Sequence, residues 1–159
     1  LPLDELQFAK FFASVIFIGK FPLAPGTFAS LMANLSLYLV LLYHNQANID
    51  LRLLMAFLLP FLFFVGVYTS SIVTKEINDK DPSSIVIDEW VGQWIPFIFL
   101  HLNIQNLVLS FIFFRIFDIS KILFIKKFES FSGGWGVMLD DVLAGFYALV
   151  LVIMFNQFI

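Results

Sequence analysis

Two pairs of adjacent carboxylates, Asp88-Glu89 and Asp140-Asp141, stand inside stretches that are otherwise apolar. Arg115, Asp118 and Lys121 interrupt another apolar stretch at spacing i, i+3 and i+6, which puts all three roughly on one helix face. A charge at the centre of a membrane helix costs about 2.5–3.5 kcal/mol, so such residues are functional candidates by default. Carboxylates without histidine or cysteine nearby favour a hard cation. Mg2+ fits, because it commonly bridges protein carboxylates to a substrate phosphate. The expected ligands are Asp88, Glu89, Asp118, Asp140 and Asp141. Arg115 either pairs with Asp118 or joins Lys121 in neutralising phosphate charge. Thr27 follows Pro25-Gly26 where a helix N-cap belongs, and there it offers a hydroxyl and free N–H groups to an anion. Gly92 shares a helix face with Asp88 and Glu89, and Gly145 with Asp141; the missing side chains are expected to leave room for an ion, water or substrate group.

Each group also has a plain structural reading. Asp140 could cap a helix. Asp88-Glu89 could be solvated at the edge of a membrane span, and Arg115–Asp118 could be a buried pair. All of these at once, on one side of a membrane, is the harder reading to sustain.

The elements that position these residues must be membrane helices. Hydrophobic residues make up 60% of the 159-residue chain and charged residues 13%, against roughly 25% charged in a soluble chain. Mean hydropathy is +0.94, and 22 phenylalanines exceed what a core of this size could hide from water. The bilayer is the natural solvent for that excess. We therefore expect an all-α, polytopic membrane protein, a single domain over residues 1–159. Its spans are expected near Phe28–Tyr43, Leu53–Val73, Ile85–Leu100, Leu107–Ile125 and Asp140–Phe158. Phe8–Ile18 is too short to span and reads as an interfacial or re-entrant helix.

Lys10, Lys20, Lys75, Lys80, Lys126 and Lys127 fall in loops on one side of these five spans, and Arg52 falls on the other. The positive-inside rule makes the lysine-rich side cytoplasmic. Pro25-Gly26-Thr27, Asp88-Glu89, Lys121 and Asp140-Asp141 then converge on that face. His44 and His101 end apolar runs on the opposite side and read as interface residues. A net charge of −3 argues against nucleic acid, and the absence of cysteine excludes thiol nucleophiles, disulfides and Cys-ligated zinc. Histidine-phosphatase, Asp-x-Asp and Walker-type motifs are also missing. A cation transporter or channel using the same carboxylates is the alternative to an enzyme.

Four blocks carry a family resemblance: Ala24-Pro25-Gly26-Thr27-Phe28-Ala29-Ser30-Leu31, Asp81 through Gly92, Phe114 through Lys121, and Gly133 through Gly145. Together they resemble phosphatidylglycerophosphatase A, in family order and over most of the chain. The resemblance implies Mg2+-dependent hydrolysis of phosphatidylglycerophosphate to phosphatidylglycerol and phosphate, in a bacterial cytoplasmic membrane with the site facing the cytoplasm. The expected catalytic residues are Asp141, Arg115 and Lys121, and the expected substrate contacts are Thr27, Ser30, Arg115 and Lys121. Family members usually have glycine where Ala29 stands and Pro-Trp-Pro where this chain has Ile122-Leu123-Phe124. Without those prolines the helix is expected to run on past Lys121.

Overall fold

The computed structural model describes residues 3–43, 50–122, 124–128 and 130–158. The loop containing His44 lies outside these described residues. Seven α-helices follow in order among them: α1 Leu3–Ala13, α2 Pro25–Tyr43, α3 Leu51–Ile77, α4 Ile87–Trp94, α5 Ile104–Ser120, α6 Ile125–Phe128 and α7 Gly134–Gln157. Short 3-10 turns over Ile18–Lys20 and Ile95–Ile98 complete the regular structure, and no described residue is in a strand.

Local chemistry sets several helix starts. Asp50 caps α3 by accepting from the backbone N–H of Arg52 and Leu53, and Asn103 caps α5 by accepting from Asn106 at 2.8 Å. Pro25 occupies the first position of α2, where its missing N–H costs nothing. Thr27 therefore lies inside the first turn and is not the N-cap expected of it. α7 begins at Gly134, more than a turn before the acidic pair. Asp140 and Asp141 are thus helix-interior and buried, and neither caps the helix.

α2, α3 and α7 are long and apolar enough to cross a membrane. At 1.5 Å per residue they measure about 28, 40 and 36 Å. On α3 the side chains of Phe57, Phe61, Phe64 and Tyr68 form one outward stripe, each more than half exposed. Water would penalise that stripe and hydrocarbon accepts it. These helices point to a membrane protein.

The remaining expected spans are shorter. Ile85–Leu100 breaks into the eight-residue α4 and a 3-10 turn containing Pro96, a passage of about 20 Å. α5 has 17 residues and stops at Ser120, because Lys121 takes a left-handed conformation (φ 46°) as its C-cap. The continuation past Lys121 does not occur. Side-chain contacts distinguish the two ends of the bundle. At one end Arg52 meets His101 at 3.3 Å, and Gln105 meets Asn156 at 3.0 Å. At the other end Arg115 meets Thr27, and Lys121 meets Asp140. Three of the five expected spans are helices of spanning length.

The N-terminal helix ends at Ala13, earlier than the expected Ile18. Val15, Ile16 and Phe17 then adopt positive φ of 45, 54 and 67°. Left-handed backbone costs about 1–2 kcal/mol for each such residue. The strained turn is tied down from outside: Val86 N–H donates to Ala13 O at 2.8 Å.

α4 and α7 cross at Gly92 and Gly145. A β-carbon at Gly145 would overlap the carbonyl of Gly92, and one at Gly92 would lie 2.6 Å from the carbonyl oxygen of Asp141. The space expected for an ion or substrate at these glycines is filled by the neighbouring helix. Gly145→Ala should therefore lower the thermal unfolding midpoint in detergent. Alanine gains about 1 kcal/mol of helix propensity over glycine, but overpacking costs about 1–3 kcal/mol. An unchanged or higher midpoint would mean that α4 can move aside.

Candidate active site

The Gly92–Gly145 crossing lies one turn beyond Asp88 on α4 and one turn beyond Asp141 on α7. It therefore brings the two acidic segments together. One oxygen from each of Asp88, Glu89 and Asp141 falls within 4.8 Å of the others. Asp88 and Asp141 are buried and Glu89 is half-buried. α2 closes the group from the side: a β-carbon at Gly26 would overlap the Glu89 carboxylate.

The cations stand around this trio and bind the two other expected ligands. Arg115 pairs with Asp118 one turn along α5. It also donates to Thr27 Oγ1 at 3.1 Å and Ser30 Oγ at 3.3 Å. One guanidinium thus joins α5 to the start of α2. Lys121 donates from Nζ to Asp140 Oδ2 at 2.6 Å and lies 3.6 Å from Asp81 Oδ2. Its left-handed backbone takes it off the helical face shared by Arg115 and Asp118. The other Asp140 oxygen accepts from the Asp141 N–H at 2.9 Å.

All nine residues expected at the site converge at one end of the bundle. Three carboxylates face one another, while Asp118 and Asp140 are held by cations. Asp118 and Asp140 still act electrostatically on Asp141. Five carboxylates against two cations leave an excess of negative charge in a largely buried space. Moreover, Asp88 Oδ1 and Glu89 Oε2 are buried without a hydrogen-bond partner. An unsatisfied buried acceptor costs about 1–3 kcal/mol, and more when charged. Oxygen-only donors with uncompensated charge match a hard divalent cation.

Sequence reasoning left two features out of the site. Asp81, beside Pro82 in a quoted block, reaches Lys121. Gln93, one turn below Glu89, is fully buried, with Asn34 and Ser110 each at 3.4 Å from its amide nitrogen. An amide at i+4 from a carboxylate on so short a helix was the available signal. His101 lies exposed at the opposite end of the bundle.

The charge excess makes a prediction without reference to turnover. In chelator, Asp88→Asn should unfold at a higher temperature than the unmodified chain, because it replaces one of three facing acidic groups by a neutral amide. A lower midpoint in thermal unfolding would show that other groups already compensate the cluster.

Comparison with known proteins gives this geometry a context. The family profile described as Phosphatidylglycerophosphatase A matches residues 11–156. A Bacteroides thetaiotaomicron protein provisionally named a phosphatidylinositol-3-phosphatase is 39% identical over 137 residues, covering 84% of each chain. Phosphatidylglycerophosphatase A of Haemophilus influenzae is 36% identical, covering 81% of this chain and 77% of that one. The Escherichia coli protein of the same name is 34% identical, covering 80% and 71%. No solved structure matches the chain. The chain belongs to the phosphatidylglycerophosphatase A family, phosphoric monoester hydrolases.

Proposed function

We propose that this protein hydrolyses the phosphomonoester of phosphatidylglycerophosphate, releasing phosphatidylglycerol and phosphate, with Mg2+ as its cofactor. The observation that carries the reading is the Asp88, Glu89 and Asp141 trio, with its orphaned oxygens, flanked by Arg115 and Lys121. Those three carboxylates would hold the ion, and Asp118 and Asp140 would complete its surroundings. When bound, the ion supplies charge stabilisation to the phosphoryl group and makes water a stronger acid.

The chain's own residues do the rest. Arg115 presents a planar fork, and the hydroxyls of Thr27 and Ser30 that it now contacts are at hand for phosphate oxygens. Lys121 collects the phosphate as a point charge at the mouth. Asp141 orients the attacking water and accepts its proton. The bond from phosphorus to the glycerol oxygen breaks, and that oxygen leaves as the alcohol after taking up a proton.

The setting follows from the lysines. Lys10, Lys20, Lys75, Lys80, Lys126 and Lys127 belong to the site end of the bundle and Arg52 to the other. We place the site end in the cytoplasm, in a bacterial inner membrane, with all five expected spans crossing. The 3-10 part of the third expected span is tolerable because Ile95, Pro96 and Phe97 are buried within protein. Family membership favours hydrolysis over cation transport. The name of the Bacteroides relative supports a second substrate reading, a phosphatidylinositol 3-phosphate, which the same phosphate chemistry would serve.

Phosphate release from both lipids in mixed micelles tests the reading. Release from phosphatidylglycerophosphate should need Mg2+ and stop with chelator. Asp141→Asn should lose turnover by about 10²-fold or more while keeping its fold. Full activity of that variant in chelator would remove the metal mechanism, and preference for the inositol lipid would select the second substrate.

The two cations should separate kinetically. Arg115→Lys replaces a fork by a point charge and should mainly lower kcat, while Lys121→Ala should mainly raise KM. Unchanged kcat in Arg115→Lys would reassign Arg115 to holding α2 against α5.

A further inference from the structure

A cavity of about 290 Å³ lies apart from the carboxylate site, between α1, the strained turn after it and the end of α3. Its apolar lining includes Val73 and Ile77, and its polar lining is Lys10, Ser14, Lys20 and Ser84. Both titratable groups on that lining are lysines. They come from separate elements, and neither has an ion-pair partner among the described residues.

The turn is built around this cavity. Phe17, at φ 67°, puts its ring 4.3 Å from the Lys20 ammonium, and its N–H donates to Ser14 Oγ at 3.1 Å. Gly19 packs so closely on Ser84 that a β-carbon there would overlap the Ser84 carbonyl. Backbone strain persists where surrounding structure over-determines it, and such places cluster at ligand clamps. Outside the cavity, Phe12, Ile16, Phe17 and Phe21 are exposed, an apolar rim suited to the bilayer interface. Lysines that served membrane orientation alone would need neither a shared walled cavity nor a strained turn to aim one of them.

We propose that this cavity is a second phosphate-binding site, for the headgroup of an anionic phospholipid. Lys10 and Lys20 hold the phosphate, the Ser84 hydroxyl adds a donor, and the acyl chains lie along the phenylalanine rim. The proposal does not depend on the hydrolytic reading. A phosphodiester lipid is a ligand here and no bond in it is broken.

The test uses the purified chain in nonionic detergent with chelator. It is titrated with dihexanoyl phosphatidylserine, dihexanoyl phosphatidylcholine or inorganic phosphate, and binding is read by calorimetry. The anionic lipid should bind about tenfold or more tightly than the choline lipid, the scale expected of two lysines near a membrane surface. Lys10→Gln/Lys20→Gln should lose that difference, each single variant should lose part of it, and the double arginine variant should keep it. An unchanged thermal unfolding midpoint of the glutamine variants verifies their fold. Displacement of the lipid by millimolar phosphate would identify the free anion as a sufficient ligand; failure to displace it would assign the site to the lipid. An anionic preference that survives the double glutamine change, or no preference in the unmodified chain, would overturn the proposal.

Discussion

The close approach of α4 to α7 governs the rest of this structure. Two glycines meet where side chains would hold the helices apart, and each lies one turn from a carboxylate. The short α4 has little surface of its own, so its position is set by what it can touch. Packing against α7 through Gly92, with the Phe114 ring also close by, leaves Asp88 and Glu89 facing Asp141. In a bilayer, helix association draws on packing and interhelical hydrogen bonds because lipid is as apolar as leucine. Small residues at a crossing are therefore the means by which a membrane bundle places polar groups at short distance.

That placement works against electrostatics. Like charges are gathered in a space with little water, and the two nearby cations are engaged with Asp118 and Asp140. The fold holds them because the surrounding packing is extensive: Phe97, Phe114 and Met138 are almost fully buried. A bundle stabilised in this way can carry an unfavourable cluster that a bound cation would relieve. Proteins commonly violate local rules at functional sites and compensate elsewhere.

The polar layer under the carboxylates gives the cluster a floor. Asn34 donates to the carbonyl of Leu107, while Gln93 lies near both Asn34 and Ser110. Trp94 donates to the carbonyl of Ala33 at 3.0 Å, which fixes α4 against α2. These bonds link α2, α4 and α5 just below the site. In a low-dielectric interior they are stronger than in water and more costly to leave unmade.

Composition alone pointed to a helical membrane protein, because a water-soluble core could hardly absorb so much phenylalanine and leucine. The charges inside apolar runs marked the acidic and basic residues of the candidate site, since their cost demands a reason. The lysine pattern placed them at one end of the bundle. Helix boundaries were less legible. Thr27 looked like a cap until Pro25 proved to start the helix, and Asp140 looked like a helix start until α7 proved to begin at Gly134. Periodicity in an apolar stretch does not mark where a helix begins, and neither does it reveal the break at Ile95. Only the tertiary structure decided which carboxylates face one another and which are held by Arg115 and Lys121. Spacing along one helix says which residues share a face, but distance between helices depends on side-chain volume at the crossing. There the absence of two side chains, at Gly92 and Gly145, set the geometry of the site.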